Sequence, residues 1–358
     1  MPLIIEGQVP SRWEERGRSR PAISRDIYSK RTDHLTLALI NNMPDPALED
    51  TELQFFELLD IASGDVPVFL RLFSLTGVPR TDRGLRHLNS FYFDFADLWQ
   101  SQFDGVIITG TEPHHSNLQA EPYWKLLTEV FDWAERNTTS TVLSCLAAHA
   151  AALHLDGIKR HPLPDKQFGV FAATQHRNHE LLAHAPALVR FPHSRWNEVR
   201  AQELASAGYE ILTQSADAGV DLFVKQTKKS LFVHFQGHPE YGSHTLLKEY
   251  RRDIKRFLRA ERETYPSMPQ GYFDEPTVRL LNVFREKALS DRHEELIDSF
   301  PESVVDGLQN SWSSSAACVY QNWLRRLALK RAETAMFSNI ALARQTRFVS
   351  ASASDDVA

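Results

Sequence analysis

The chain has 358 residues, with 40 Lys plus Arg against 46 Asp plus Glu, giving a formal net charge of −6 with His neutral. At 42% apolar and 24% charged it has an ordinary globular composition, long enough for one large core or two smaller ones, and general disorder is excluded. The acidic total argues against a dedicated nucleic-acid binder, no apolar run of about 18 residues suggests a membrane span, and residues 1–10 lack the pattern of a signal peptide, so the expected compartment is the cytoplasm.

Residues 1–33 carry Arg12, Arg16, Arg18, Arg20 and Arg25 without an apolar period and read as a flexible arm, with the fold starting after it. Residues 34–40 (HLTLALI) form a β-type run. Asn41-Asn42-Met43-Pro44 breaks it before a helical pattern over 48–59. Residues 66–75 and 104–110 read as buried parallel strands, the second closed by Gly110. An amphipathic helix over 122–136 is followed by a strand over 140–144 and an alanine-rich helix over 145–155. This alternation predicts a parallel α/β sheet with right-handed crossovers.

Beyond Lys159 shorter strands are expected at 168–174, 186–191, 209–213 and 220–225, then a buried strand at 231–235 followed by Gly237-His238-Pro239-Glu240. Helices are expected at 243–259, 276–288 and 315–337. The domain organisation read from this is an arm at 1–33, one domain at 34–338, and a largely disordered tail at 339–358.

Two cysteines without a CxxC pair, and fifteen histidines without HExxH spacing, point to no metal site. Cys145 stands where a strand meets a helix, the position of a nucleophile elbow, with the small Ala147 and Ala148 behind it. A helix N-terminus stabilises a thiolate, and the free N–H of Leu146 points toward an oxyanion formed on an acyl group attached to sulfur. Free cysteine is also among the commonest buried small residues, and Cys318, in a mid-helix context beside Ala316 and Ala317, is read as packing.

His238 follows a buried strand and falls at the same carboxyl edge of the sheet as Cys145, with Glu240 two positions on as the group that orients it. Downstream, Arg252 either belongs to a solvated helix face or binds a carboxylate through two hydrogen bonds.

The segments NNMPDPALEDTELQFFELL (41–59), HLNSFYFDF (87–95), FDGVIITG (103–110), the stretch 123–153 around CLAAHA, GVF (169–171), PHSRW (192–196) and GHPEYGSHTLLKEYRRD (237–253) resemble the homoserine O-acyltransferase (homoserine O-succinyltransferase) family. The likeness is collinear over roughly residues 35–331. The resemblance implies a class I glutamine amidotransferase-like, flavodoxin-like three-layer sandwich, α/β with a mostly parallel sheet flanked by helices.

It further implies Cys145 as acyl-thioester nucleophile, His238 as proton acceptor and Glu240 as its partner, with Lys166, Ser194 and Arg252 contacting substrate. No bound cofactor is implied. The resemblance also implies acyl-CoA as co-substrate, homoserine as acceptor, a ping-pong mechanism, a place in methionine biosynthesis and a homodimer, and neither a nucleic-acid nor a membrane partner is expected.

This chain departs from the family pattern in three places. Asp45 to Glu49 form a longer loop without the usual lysine. Leu146 and His149 replace the common Trp and Gln, His149 being assigned no catalytic role. His114 takes the position that distinguishes succinyl from acetyl donors, and a histidine there tips the expectation toward succinyl-CoA. Acylation of another hydroxy amino acid such as serine, glutamine-dependent amide transfer with the same triad, and a binding protein that kept the scaffold are the competing readings.

Overall fold

The computed structural model describes residues 3–15 and 34–352. Its strands in chain order are β1 (Leu3–Ile5), β2 (Leu35–Ile40), β3 (Val68–Phe73), β4 (Gly105–Ile108), β5 (Ser140–Ser144), β6 (His161–Gln175), β7 (Leu188–Glu198), β8 (Glu210–Ile211), β9 (Thr213–Ser215), β10 (Gly219–Val220), β11 (Leu222–Gln226) and β12 (Leu231–Phe235). The helices are α1 (Ser11–Glu14), α2 (Asp45–Ala62), α3 (Asp82–Phe91), α4 (Ala96–Gln100), α5 (Trp124–Asn137), α6 (Leu146–Asp156), α7 (Ala201–Ser206), α8 (Thr245–Leu258), α9 (Glu275–Ser290) and α10 (Ser313–Ser352).

Eight strands form one sheet in the order β1-β3-β2-β4-β5-β12-β11-β8, parallel from β1 to β12 and antiparallel where β11 meets β12 and β8. Period-2 alternation sends side chains to both faces. Leu37, Leu39, Val142 and Val233 join α2 and the Tyr320–Leu327 stretch of α10 in one apolar layer. Ala38, Ile40, Leu143 and Phe232 join α5 and α6 in the other. Continuous apolar strands are what a sheet covered on both faces requires, and the expected three-layer α/β architecture follows.

A second, antiparallel sheet, β10-β9-β6-β7, stands beside the first. Its long hairpin β6–β7 absorbs the expected short strands at 168–174 and 186–191. A third apolar cluster locks it in place, with Phe168 and Val170 of β6 against Leu246, Leu247 and Tyr250 of α8, Leu281 and Phe284 of α9, and Trp312. Among the described residues no helix is long and apolar enough to cross a membrane.

Three expectations are corrected. The fold does not start at residue 34: β1 pairs parallel with β3, Leu3 and Ile5 are buried, and Trp13 of α1 packs edge-on against Phe56 at 5.5 Å. A three-residue strand is too short to show a period. Residues 1–2 and 16–33 of the expected arm lie outside the described residues.

The supposed loop Asp45–Glu49 is the first turn of α2. Proline is tolerated there because the first N–H groups of a helix have no intrahelical partner anyway, and Asp45 is held by the Thr81 N–H at 2.7 Å and by Arg80 at 3.2 Å. Finally, α10 runs on through most of the expected tail to Ser352, over a stretch rich in the good helix formers Ala, Leu and Arg, while residues 353–358 lie outside the described residues.

Gly169 of β6 has φ +146°, and a Cβ there would lie 2.3 Å from the Gln270 carbonyl oxygen. That approach lets the Gln270 N–H donate to the Phe168 carbonyl at 2.9 Å and the Val170 N–H to the Gln270 carbonyl at 2.8 Å. Gly169→Ala is expected to lower the unfolding free energy by about 1–3 kcal/mol in a denaturant titration, and a midpoint equal to wild type would refute this account of the glycine.

Candidate functional site

β5 and β12 are separated by 86 residues of chain yet pair in parallel with Ser144 opposite Phe235, so the residues that follow each strand emerge at one edge. Cys145 occupies the turn between β5 and α6 with φ 50° and ψ −106°, a conformation that side chains rarely adopt outside such elbows. Its N–H donates to the Phe235 carbonyl at 2.8 Å, which holds the turn against β12. Leu146 opens the helix, so its N–H has no carbonyl of the preceding turn to bind. Gly110 at the end of β4 is pressed against it: a Cβ there would lie 3.0 Å from the Leu146 nitrogen.

His238 reaches the same edge from β12. Its N–H donates to the Pro192 carbonyl at 2.7 Å, and Gly237 permits this because a side chain there would meet Asp221, Pro192 and His193 within 3.0 Å. His238 Nδ1 lies 2.8 Å from Glu240 Oε1, and the Ser144 hydroxyl donates to the same oxygen at 3.3 Å. Tyr241 stacks on the imidazole, with ring centroids 4.2 Å apart and planes 17° from parallel. Burial alone disfavours the imidazolium, but Cys145 and Glu240 outweigh it through charge and hydrogen bonds, and the His238 pKa is held well above its ordinary value. A cysteine whose charge reaches a histidine, with the histidine's Nδ1 facing a buried carboxylate, is an arrangement able to form, carry and release an acyl thioester.

A second polar cluster adjoins this row. Lys166 Nζ on β6 lies 3.1 Å from both Glu249 and Asp253 of α8. The Ser194 hydroxyl on β7 donates to Glu249 Oε2, and the Tyr241 hydroxyl donates to Glu249 Oε1 at 2.7 Å. Arg252 reaches Asp253 at 3.1 Å and Glu249 at 3.9 Å, with its side chain 47% exposed. Burial raises the pKa of Glu249 and Asp253, but Lys166 and the surrounding donors prevail and both carboxyls are held below their ordinary values.

The structure thus brings Cys145, His238 and Glu240 together, and gathers Lys166, Ser194 and Arg252 one residue away, joined through Tyr241. Glu249, the hub of that cluster, was absent from the sequence reading. Its signal is the i, i+3, i+4 spacing with Arg252 and Asp253, which puts all three on one helix face.

His149 is a buried core residue, 2.9 Å from Gln236 Oε1, with burial pushing its pKa down to about 3. His114 is exposed on the loop after Gly110. Cys318 is half-buried on α10, its thiol 3.4 Å from the Ala183 carbonyl, and burial raises its pKa.

The fold and this thiol–imidazole–carboxylate row describe an α/β enzyme of the group-transfer kind, and comparison with known proteins makes the class specific. The family described as Homoserine O-succinyltransferase matches residues 21–333. The chain is 45% identical over 295 residues to a homoserine O-succinyltransferase of Rhodopseudomonas palustris, covering 82% of this chain and 88% of the relative. It is 36% identical over 331 residues to the enzyme so named from Methylobacter tundripaludum, covering 91% and 93%. A glutamine amidotransferase crystal structure from Thermotoga maritima superposes with a TM-score of 0.44 at 10% identity, covering 82% of this chain and 98% of that one. The chain belongs to the homoserine O-succinyltransferase family, and is an acyltransferase.

Because Glu249 and Asp253 have depressed pKa values, their contribution to stability is present above the ordinary carboxyl values of 4.5 and 3.8 and is lost as pH falls through the lower folded values. Lys166→Met leaves the carboxylates of Glu249 and Asp253 with the half-exposed Arg252 but without the buried ammonium between them, so circular dichroism during acid titration is expected to show unfolding at higher pH than wild type. An unchanged acid midpoint would refute the pairing.

Proposed function

We propose that the chain transfers a succinyl group from succinyl-CoA to the hydroxyl of homoserine by a ping-pong route through a thioester on Cys145. The observation that carries this reading is the left-handed turn at Cys145, which lifts the thiol off β5 toward His238 while Glu240 holds the imidazole from behind.

The raised pKa of His238 favours an imidazolium beside the Cys145 sulfur. The thiolate attacks the thioester carbonyl, and the developing oxyanion accepts from the Leu146 N–H. As the carbon–sulfur bond to CoA breaks, His238 gives its proton to the leaving sulfur. The neutral imidazole then takes the proton of the homoserine hydroxyl as that oxygen attacks the Cys145 thioester, and collapse returns the thiolate–imidazolium pair and releases O-succinylhomoserine. Glu240 keeps Nδ1 protonated and aimed, so that Nε2 exchanges the proton.

The acceptor is a zwitterion, and the neighbouring cluster presents both charges it needs. Arg252 is half-exposed and offers a planar fork to the α-carboxylate, and Glu249 offers a carboxylate to the α-ammonium, with Lys166 and Ser194 fixing its orientation.

Mixing the protein with succinyl-CoA alone is expected to release CoA and to leave one succinyl adduct on Cys145 by mass spectrometry, discharged on adding homoserine. Cys145→Ala is expected to abolish the adduct, and Glu240→Gln to lower turnover by about a hundredfold or more. Turnover without any adduct on Cys145 would sink the ping-pong route.

A further inference from the structure

Arg160 stands at the entrance to β6, between α6, which begins at the thiol, and the loop that follows Gly110. Its Nη2 donates to the carbonyls of His115 at 3.3 Å and Ser116 at 2.9 Å. Its charge acts on Cys145 as well as on Glu121 and Tyr123, so the guanidinium lies within electrostatic reach of the sulfur.

The other cations near the site are already engaged. Lys166 and Arg252 each face Glu249 and Asp253. Arg195, whose charge also reaches Cys145, is buried and donates to the carbonyls of Asn197 and Ala218. Arg160 differs: it is half-buried, and among the described residues no carboxylate lies within ion-pair distance of it. Glu121, whose charge acts on Arg160, accepts the His115 N–H at 2.6 Å and so pins the loop.

The loop itself divides the two sides of the site. Its first part leans toward α8, where Glu112 lies 3.9 Å from Arg256 and its charge is felt by Arg252 on the acceptor side. Its second part, His115 and Ser116, is tied to Arg160. In a succinyl thioester only three carbon–carbon bonds separate the reacting carbonyl from the free carboxylate. That carboxylate must therefore be met close to Cys145.

We propose that Arg160 is the specificity-determining residue that recognises the free carboxylate of the acyl donor, with the exposed His114 at the rim of the same loop. This rests on the acyl-CoA reading above. A guanidinium held by one nitrogen keeps a second N–H edge for an oxyanion, while an acetyl group brings nothing to fill that place.

The test compares wild type, Arg160→Gln and Arg160→Lys for the rate of Cys145 acylation by succinyl-CoA, butyryl-CoA and acetyl-CoA. Butyryl-CoA replaces the carboxylate with a methyl group. Arg160→Gln is expected to lower the succinyl-CoA rate constant per concentration roughly ten- to hundredfold, the range for losing a charged hydrogen bond. The acetyl-CoA and butyryl-CoA rates should stay near wild type, which also shows that the variant is folded. Arg160→Lys should recover part of the succinyl preference.

Equal losses with all three donors would overturn the proposal and place Arg160 on the CoA moiety or on the thiol. An unchanged succinyl preference in Arg160→Gln would also overturn it, leaving the acyl-CoA reading intact. Failure of wild type to be acylated by any of the three would instead bring down that reading, and this proposal with it.

Discussion

Everything at the candidate site depends on the parallel pairing of β5 with β12. One strand delivers the thiol and the other the imidazole, and the bond from the Cys145 N–H to the Phe235 carbonyl fixes the two exits relative to each other. Parallel neighbours end at the same edge of a sheet, so no loop has to carry either group there. What the loops contribute is steric permission: Gly110 and Gly237 are places where a methyl group would strike the elbow or the floor beneath the histidine.

The second constraint is charge accounting in a buried space. Glu249, Asp253, Lys166 and Arg252 form a cluster with two acids and two bases, and Tyr241 connects it to His238 by bonding to Glu249 and stacking on the imidazole. Low effective dielectric makes such a group stable only while complete. A bound zwitterion adds one charge of each sign and leaves the balance unaltered, whereas a singly charged ligand would not.

Much of this was legible in the sequence, and the reasons are physical. The strand Ser140–Ser144 and the helix after it were placed because a fully buried strand followed by alanines has few alternatives, and β12 was placed for the same reason. Those two boundaries put Cys145, His238 and Glu240 at one sheet edge as candidates, and their roles came from the family resemblance. β1 escaped because three residues cannot show periodicity, and the first turn of α2 because its two prolines, Pro44 and Pro46, look the same in a loop and in a helix start. Glu249 escaped because a glutamate on an amphipathic helix carries no mark of burial until Lys166, Ser194 and Tyr241 converge on it from other elements. Arg160 carried no local signal at all, since its surroundings come from a loop more than forty residues earlier.

The two outermost strands of the eight-stranded sheet are its shortest: β1 has three residues and β8 has two. A sheet edge offers unpaired backbone groups to any neighbouring chain, and truncating both edges removes nearly all of that offer. Growth of this sheet from molecule to molecule, the route by which α/β proteins pass into ordered aggregates, therefore has very little template from which to begin.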